Sequence, residues 1–330
     1  MVHWNYTTLK YNIQRIELPT VFDMKTVNSF LVQGEYITLI DTGENTEESW
    51  NALIDGISEL GLKISDIEKI LITHAHVDHI GMASRVSQES GAKVHVSELV
   101  YPWATNLSIE WARRSDVLKS TFNDHLSADQ NKNFMPIFQS FFGQVSNIWE
   151  NLSPDQVEIF DITKDIDISG KSYEILHCPG HTWTQTCFLQ ENGDFFSADM
   201  LLKLTPTCVI EGKIENLSER NKSMPQLLHS FEMLLQKNIG TIYPGHYNIM
   251  DNHTALITKQ LERIHLRKNQ VFTLVENGTQ RFFDLFNSLY GGKFNFPGLV
   301  MTLGYLDLLL DEGRIRERLS DDGILYEKES

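Results

Sequence analysis

Three cysteines in 330 residues are too few for a disulfide framework, and Cys178, Cys187 and Cys208 suit a reducing compartment. Cations are scarce as well. Twenty-eight Lys and Arg stand against 44 Asp and Glu, a formal net charge of −16. Phosphate-backbone binding needs clustered Lys and Arg, so this balance speaks against a nucleic-acid partner. No apolar run approaches the roughly 18 residues of a membrane span, so no membrane partner is expected. The stretch from Met1 to Leu18 mixes Trp4, Lys10, Gln14 and Glu17 and holds no apolar signal core. No export signal is read there, and the expected location is the cytoplasm. Internal repeats and low-complexity linkers are absent too. A hydrophobic share of 41% and a charged share of 22% are those of an ordinary globular chain, long enough for one large domain or two.

What the chain has is a run of ligand chemistry. Thr73-His74-Ala75-His76-Val77-Asp78-His79 follows the apolar run Ile70-Leu71-Ile72, and Gly81 lets the chain turn away. A strand ending in such a cluster delivers imidazoles and a carboxylate to one point. Neutral imidazole and ionised carboxylate are the donors that zinc and similar borderline cations take. Three further donors stand in tight contexts downstream: His181 in Pro179-Gly180-His181-Thr182, Asp199 in Ser197-Ala198-Asp199-Met200, and His246 in Pro244-Gly245-His246.

The pattern around them alternates. Strands are expected over Val27–Val32 and Tyr36–Ile40, over Lys69–Thr73 and over Lys93–Val96, with helices over Glu47–Leu60 and Ala83–Gly91 between them. Asp41, in Leu39-Ile40-Asp41-Thr42-Gly43, is placed to hold backbone or a ligand histidine rather than a metal. From about Glu98 to Leu152 the alternation stops. That stretch is helical in pattern and rich in Trp103, Leu107, Trp111, Phe134, Met135, Phe138, Phe141, Phe142 and Trp149. Most of these should pack, and a minority facing the donors would form an apolar wall. Strands resume at Val157–Phe160, Ile166–Ile168 and Lys171–His177. Thr186–Gln190 and Asp194–Ser197 read as a hairpin around Asn192-Gly193, which suits a type I′ turn. Ser223–Asn238 reads as a helix and Ile239–Tyr243 as a strand. His177 reads as a core or supporting histidine, and Cys178 as a buried thiol although a thiolate ligand is conceivable. Asp161, Asp165 and Asp167 do not have calcium-loop spacing. The tail, residues 255–330, offers helices at Leu256–Val275, Gln280–Tyr290 and Leu299–Asp311. A hairpin follows, Gly313–Leu319 and Ile324–Lys328 around Ser320-Asp321-Asp322-Gly323.

His-x-His-x-Asp-His, together with the Asp41, His181, Asp199 and His246 motifs in that order, resembles the metallo-β-lactamase superfamily over roughly the first 250 residues. With no ligand replaced, the set looks most like the glyoxalase II and lactonase-type branches. It departs from those true β-lactamases that have cysteine where Asp199 stands. The resemblance implies an α/β (α+β) fold: a four-layer αβ/βα sandwich over residues 1–254 with a helical insert at about 98–152. Residues 255–330 resemble a winged-helix module. It implies two divalent metal ions per chain, zinc first, with iron or manganese as alternatives. His74, His76 and His181 would hold one, Asp78, His79 and His246 the other, and Asp199 would bridge them, with Asp78 and Asp199 as the catalytic carboxylates. The implied reaction is hydrolysis of a thioester, ester or lactone by a metal-bridging hydroxide, on a small molecule with an apolar acyl part. The alternatives are an endoribonuclease-like enzyme and a mononuclear-iron enzyme like the persulfide dioxygenases. Against the nuclease, Leu299–Asp311 carries no Lys or Arg, and Glu317, Asp321 and Asp322 offset Arg314, Arg316 and Arg318. The tail is expected to be structural, with a homodimer possible.

Overall fold

The computed structural model describes residues 11–22, 24–292, 295–320 and 323–329. Trp4 and Lys10, the Asp321-Asp322 turn and the side chains of Phe138, Phe141 and Phe142 lie outside what is described. Two sheets dominate. The first has six strands in sequence order: β1 (Asn12–Pro19), β2 (Thr26–Gln33), β3 (Ile37–Ile40), β4 (Lys69–Leu71), β5 (Lys93–Ser97) and β6 (Val157–Phe160). β1 to β3 are antiparallel, and β3 to β6 run parallel. Parallel neighbours need crossovers. These are α1 (Glu47–Glu59), then α2 (Val77–Ile80) with α3 (Ala83–Ser90), then the insert helices α4 (Tyr101–Thr105), α5 (Leu107–His125) and α6 (Ala128–Asn147).

The second sheet is ordered β11-β10-β9-β8-β7, built from β7 (Ile166–Ile168), β8 (Lys171–His177), β9 (Thr186–Gln190), β10 (Phe195–Ala198) and β11 (Ile242–Pro244). β10 and β11 are parallel, joined through α7 (Ser223–Leu235). The tail supplies α8 (His253–Glu276), α9 (Phe282–Tyr290), α10 (Phe296–Asp311) and the hairpin β12 (Ile315–Ser320) with β13 (Gly323–Lys328).

Three apolar clusters define the layers. Phe30, Val32, Ile40 and Leu71 of the first sheet meet Tyr173, Ile175, Phe188 and Phe196 of the second, so the sheets pack face to face. Leu53, Ile57, Val86, Trp103 and Trp111 cover the outer face of the first sheet. Phe231, Ile257, Leu285, Leu303 and Leu306 cover the outer face of the second. The result is the expected αβ/βα order. No helix among the described residues is long and apolar enough to cross a membrane.

Several expectations shift. β1 was not foreseen from the sequence. The β9–β10 turn is not type I′, because only Gly193 has positive φ (93°) and Asn192 does not. Gly193 N–H reaches Gln190 O, and Gln190 N–H reaches Asp194 O, both at 2.9 Å. This is a three-residue loop closed by a left-handed glycine, the next commonest hairpin solution. β11 begins at Ile242, three residues later than expected. α10 is buried along nearly its whole length, packed between α7, α8 and α9. It leaves no open face of the kind a recognition helix needs.

Candidate metal centre

All seven donor residues follow strand ends, and the fold brings them together. β4 ends at Leu71 and the chain runs through His74 and His76 into α2, which carries Asp78 and His79. β8 ends four residues before His181, β10 one before Asp199, and β11 two before His246. Their ligand atoms fall into three overlapping groups: His74, His76 and His181; His74, His79 and Asp199; and Asp78, His79 and His246. Within each group the atoms lie within 4.8 Å of one another. Asp199 is central, with Oδ1 at 3.5 Å from His79 Nε2 and Oδ2 at 3.4 Å from both His181 Nε2 and His246 Nε2. His246 Nε2 is also 3.3 Å from Asp78 Oδ2.

The nitrogens that face away from the cluster are held. His79 Nδ1 meets Asp41 Oδ2 at 2.7 Å, His181 Nδ1 meets Thr207 O at 2.7 Å and His246 Nδ1 meets Thr26 O at 2.6 Å. His74 Nδ1 meets Thr73 Oγ1 at 3.0 Å. Backbone carbonyl or carboxylate on one ring nitrogen fixes the tautomer and presents a lone pair at the other, the arrangement of metal-binding histidine. His76 faces inward through Nδ1, 2.8 Å from His181 Nε2 and 3.2 Å from His74 Nε2.

Three inward atoms test whether this cluster suits a cation. His79 Nε2, His246 Nε2 and Asp199 Oδ1 are buried and have no hydrogen-bond partner. Buried polar atoms are rarely left so, and an ion at their focus would satisfy all three. The charge balance agrees. Burial holds His74 and His76 neutral, far below the usual imidazole range, and also lowers His181. At His246 burial opposes charging but Asp199 and Asp78 outweigh it, raising its pKa to about 10. At Asp78 burial is likewise outweighed, by His79 and His246, and the pKa falls to about 2. Carboxylates therefore stay ionised, and two of the imidazoles sit in a field that favours positive charge.

Support comes from both sheets. Asp41 also accepts from Thr73 N (2.9 Å) and Thr73 Oγ1 (2.8 Å), so one carboxylate locks the start of the ligand loop and His79, the role expected of it. Asn28, on β2, donates its amide hydrogens to Pro244 O (2.8 Å) and Tyr247 O (2.7 Å), straddling His246. Glu211 accepts from Thr182 Oγ1 (3.0 Å) and Trp183 N (2.8 Å), bracing the loop after His181. Burial lifts the Glu211 pKa to about 7 despite Arg114 nearby. Sequence reasoning missed Asn28, Arg114 and Glu211. None stands in a motif, and each acts across a large gap in sequence. His177 binds Trp183 O at 2.7 Å and joins none of the donor groups, and all three cysteines are free and buried.

A family model, the metallo-beta-lactamase superfamily, matches residues 23–246, about two thirds of the chain. The chain belongs to the metallo-beta-lactamase superfamily. Among curated proteins it is similar to the probable metallo-hydrolase YqjP of Bacillus subtilis, 25% identical over 309 residues, covering 91% of this chain and 92% of the relative. It is also similar to a hydroxyacylglutathione hydrolase, GloC, of Haemophilus influenzae, 28% identical over 193 residues, covering 57% of this chain and 73% of that one. Among solved structures, a metallo-beta-lactamase family protein from Thermus thermophilus shares the fold. Its TM-score is 0.74 at 21% identity, over 96% of this chain and 98% of that one. With its donor cluster and these relatives, this superfamily member is a metallo-hydrolase.

The insert's described aromatic side chains pack rather than stand open. Trp103, Trp111 and Trp149 join the cluster on the first sheet, and Phe134 joins the other. A cavity of about 660 Å³ lies between α5, the 213–222 loop and the end of α10, and none of the seven donors lines it.

Proposed function

We propose that this metallo-hydrolase cleaves a carbonyl ester-type bond, in a thioester, ester or lactone, of a small molecule with an apolar acyl part. The observation that carries the reading is the convergence of seven donors on a focus where His79 Nε2, His246 Nε2 and Asp199 Oδ1 have no other partner. His74, His76 and His181 would hold one divalent cation, and Asp78, His79 and His246 the other, with Asp199 touching both. Bound there, two such ions, zinc first and iron or manganese as alternatives, lower the pKa of a shared water and polarise a carbonyl oxygen. The chain's own part is positional. Asp78 and Asp199 remain ionised and so can accept the proton of an attacking water within hydrogen-bond reach. Asp41, Thr207 O and Thr26 O keep the imidazoles in the donor tautomer. The relative named hydroxyacylglutathione hydrolase supports the thioester end of the range. Three free buried thiols accord with a cytoplasmic location.

A nuclease is the weaker reading. Arg316 and Arg318 are paired with Glu327 at 3.1 and 2.6 Å, and Arg314 lies over the Phe272 ring. RNA should therefore show no binding that weakens steeply with salt. The deciding experiment is metal analysis of the full chain together with turnover of thioesters, esters, lactones and phosphodiesters. Two equivalents of metal and carbonyl turnover are expected. One equivalent of iron with oxygen consumption, or turnover confined to phosphodiesters, would replace this reading.

A further inference from the structure

Arg114, on α5 of the insert, is a cation without an ion pair among the described residues. Among the described residues its hydrogen bonding is limited to Nε donating to Ile210 O at 3.1 Å, and its guanidinium lies 5.3 Å from the Trp111 ring. Its location is defined by the segment it grips. Thr207 O holds His181 Nδ1, Val209 N holds His181 O (3.1 Å), Ile210 O takes Arg114, and Glu211 clamps Thr182 and Trp183. Four residues of the 207–211 segment thus tie the guanidinium to the loop that presents His181. His76 in turn lies 2.8 Å from His181. Glu211 stands beyond ion-pair reach, with both oxygens already engaged by Thr182 and Trp183. Arg114 is half-buried as a residue, its terminal nitrogens make no hydrogen bond among the described residues, and a guanidinium offers two parallel donors to a planar or tetrahedral anion.

We propose that Arg114 receives an anionic group of the substrate, a carboxylate or phosphate carried on the acyl or the leaving side, so that this centre acts on anionic esters or thioesters. The inference rests on the hydrolytic reading above and deepens it. In a chain of net charge −16, a fixed cation on the segment that holds His181 also draws an anionic substrate inward. The competing role is structural, with Arg114 only offsetting the buried Glu211. Charge selectivity separates the two, because a purely structural cation does not sort substrates by charge.

The experiment uses the metal-loaded full chain and matched thioester pairs. Butyryl and succinyl esters of one neutral thiol differ by methyl against carboxylate. Acetyl esters of a neutral, a carboxylate-bearing and a phosphate-bearing thiol move the anion to the leaving side and distinguish its source. In at least one pair, kcat/KM should favour the anionic member by about 10-fold or more, chiefly through KM. Arg114→Gln should bring that ratio close to one, and Arg114→Lys should restore part of it. No preference in any pair, or a preference that survives Arg114→Gln, overturns the proposal. If no ester or thioester is turned over, the hydrolytic reading falls, and Arg114 is judged separately by Trp111 fluorescence, with Trp111→Phe as control. Succinate or inorganic phosphate should then give a saturable change that Arg114→Gln lacks. Absence of such a change in the wild type overturns the assignment.

Discussion

Asp41 sits at φ 57°, a left-handed position that Asp tolerates better than most residues. From there it reaches Thr73 and His79 with both carboxylate oxygens. Asp41→Asn keeps the backbone but turns one acceptor into a donor facing Thr73 or His79. Metal affinity should fall about 10- to 100-fold with the fold retained, as chelator competition would show. Asp199→Ala removes the atom pair shared by His79, His181 and His246, and turnover should drop by at least about 100-fold with reduced metal content. A metal content equal to that of the wild type would exclude Asp199 as a shared ligand. Glu211 gives a pH test. Its folded pKa is raised to about 7 from 4.5, so the folded chain retains a proton that the unfolded chain has released. The resulting penalty on stability is absent below pH 4.5, grows between 4.5 and 7 and is constant above. Relative to the wild type, Glu211→Gln should therefore gain up to about 3 kcal/mol on going from pH 4.5 to 8 in urea unfolding. A difference independent of pH would mean that Glu211 is ionised in the fold without penalty.

At the scale of elements, the turn after β11 shows how closely the donors are packed. A Cβ on Gly245 would run into Asp199 Oδ1 and stand 2.7 Å from His79 Cε1. Gly245→Ala should push two ligands apart and lower metal occupancy, while leaving far-UV circular dichroism unchanged. Metal content is the direct check, and an Ala variant that stays fully loaded would show that the turn can relax. Short strands ending in donors were legible because an apolar run followed by His, Asp or Gly is a local pattern. β1 was not, because Asn12–Pro19 is an edge strand with only Ile16 and Leu18 buried, and its alternation is faint. The Asn192-Gly193 hairpin was legible as a turn but not by type, since the same dipeptide fits a two- or three-residue loop and the register of β9 against β10 decides. In the insert, richness in Trp and Phe did not say which way the side chains face. The described ones are buried in the cores, and the charged Arg114 is what grips the segment that holds His181.

Over the whole molecule, the tail is fused to the body through one apolar cluster. Met224, Leu227 and Phe231 of α7 pack with Ile257 and Ile264 of α8 and with Leu303 and Leu306 of α10. Gly304 lies so close to α7 that a Cβ would meet Met224 at 2.9 Å. Losing a single buried Leu costs about 2–5 kcal/mol against a total stability of about 5–15 kcal/mol. A chain ending at residue 254 exposes many such side chains. It should bind a hydrophobic dye, be cut rapidly by protease and melt without cooperativity. A cooperative melt of residues 1–254 would show that the catalytic part folds alone.

From sequence alone came the seven candidate donors, the alternation that builds two sheets with helices outside, the supporting role of Asp41 and the absence of Lys and Arg from Leu299–Asp311. These are local properties: a strand–turn spacing, a 2- or 3.6-residue period, a charge count. Tertiary structure decided the rest. Which ring nitrogen each histidine turns inward depends on carbonyls such as Thr26 O, 220 residues from His246. Asn28 grips the His246 loop because β2 of one sheet lies against the end of β11 in the other. Arg114 reaches Ile210 O because α5 folds back onto the segment 207–211, which also holds His181. Sheet packing and loop closure set such pairings, and no window of sequence contains both partners.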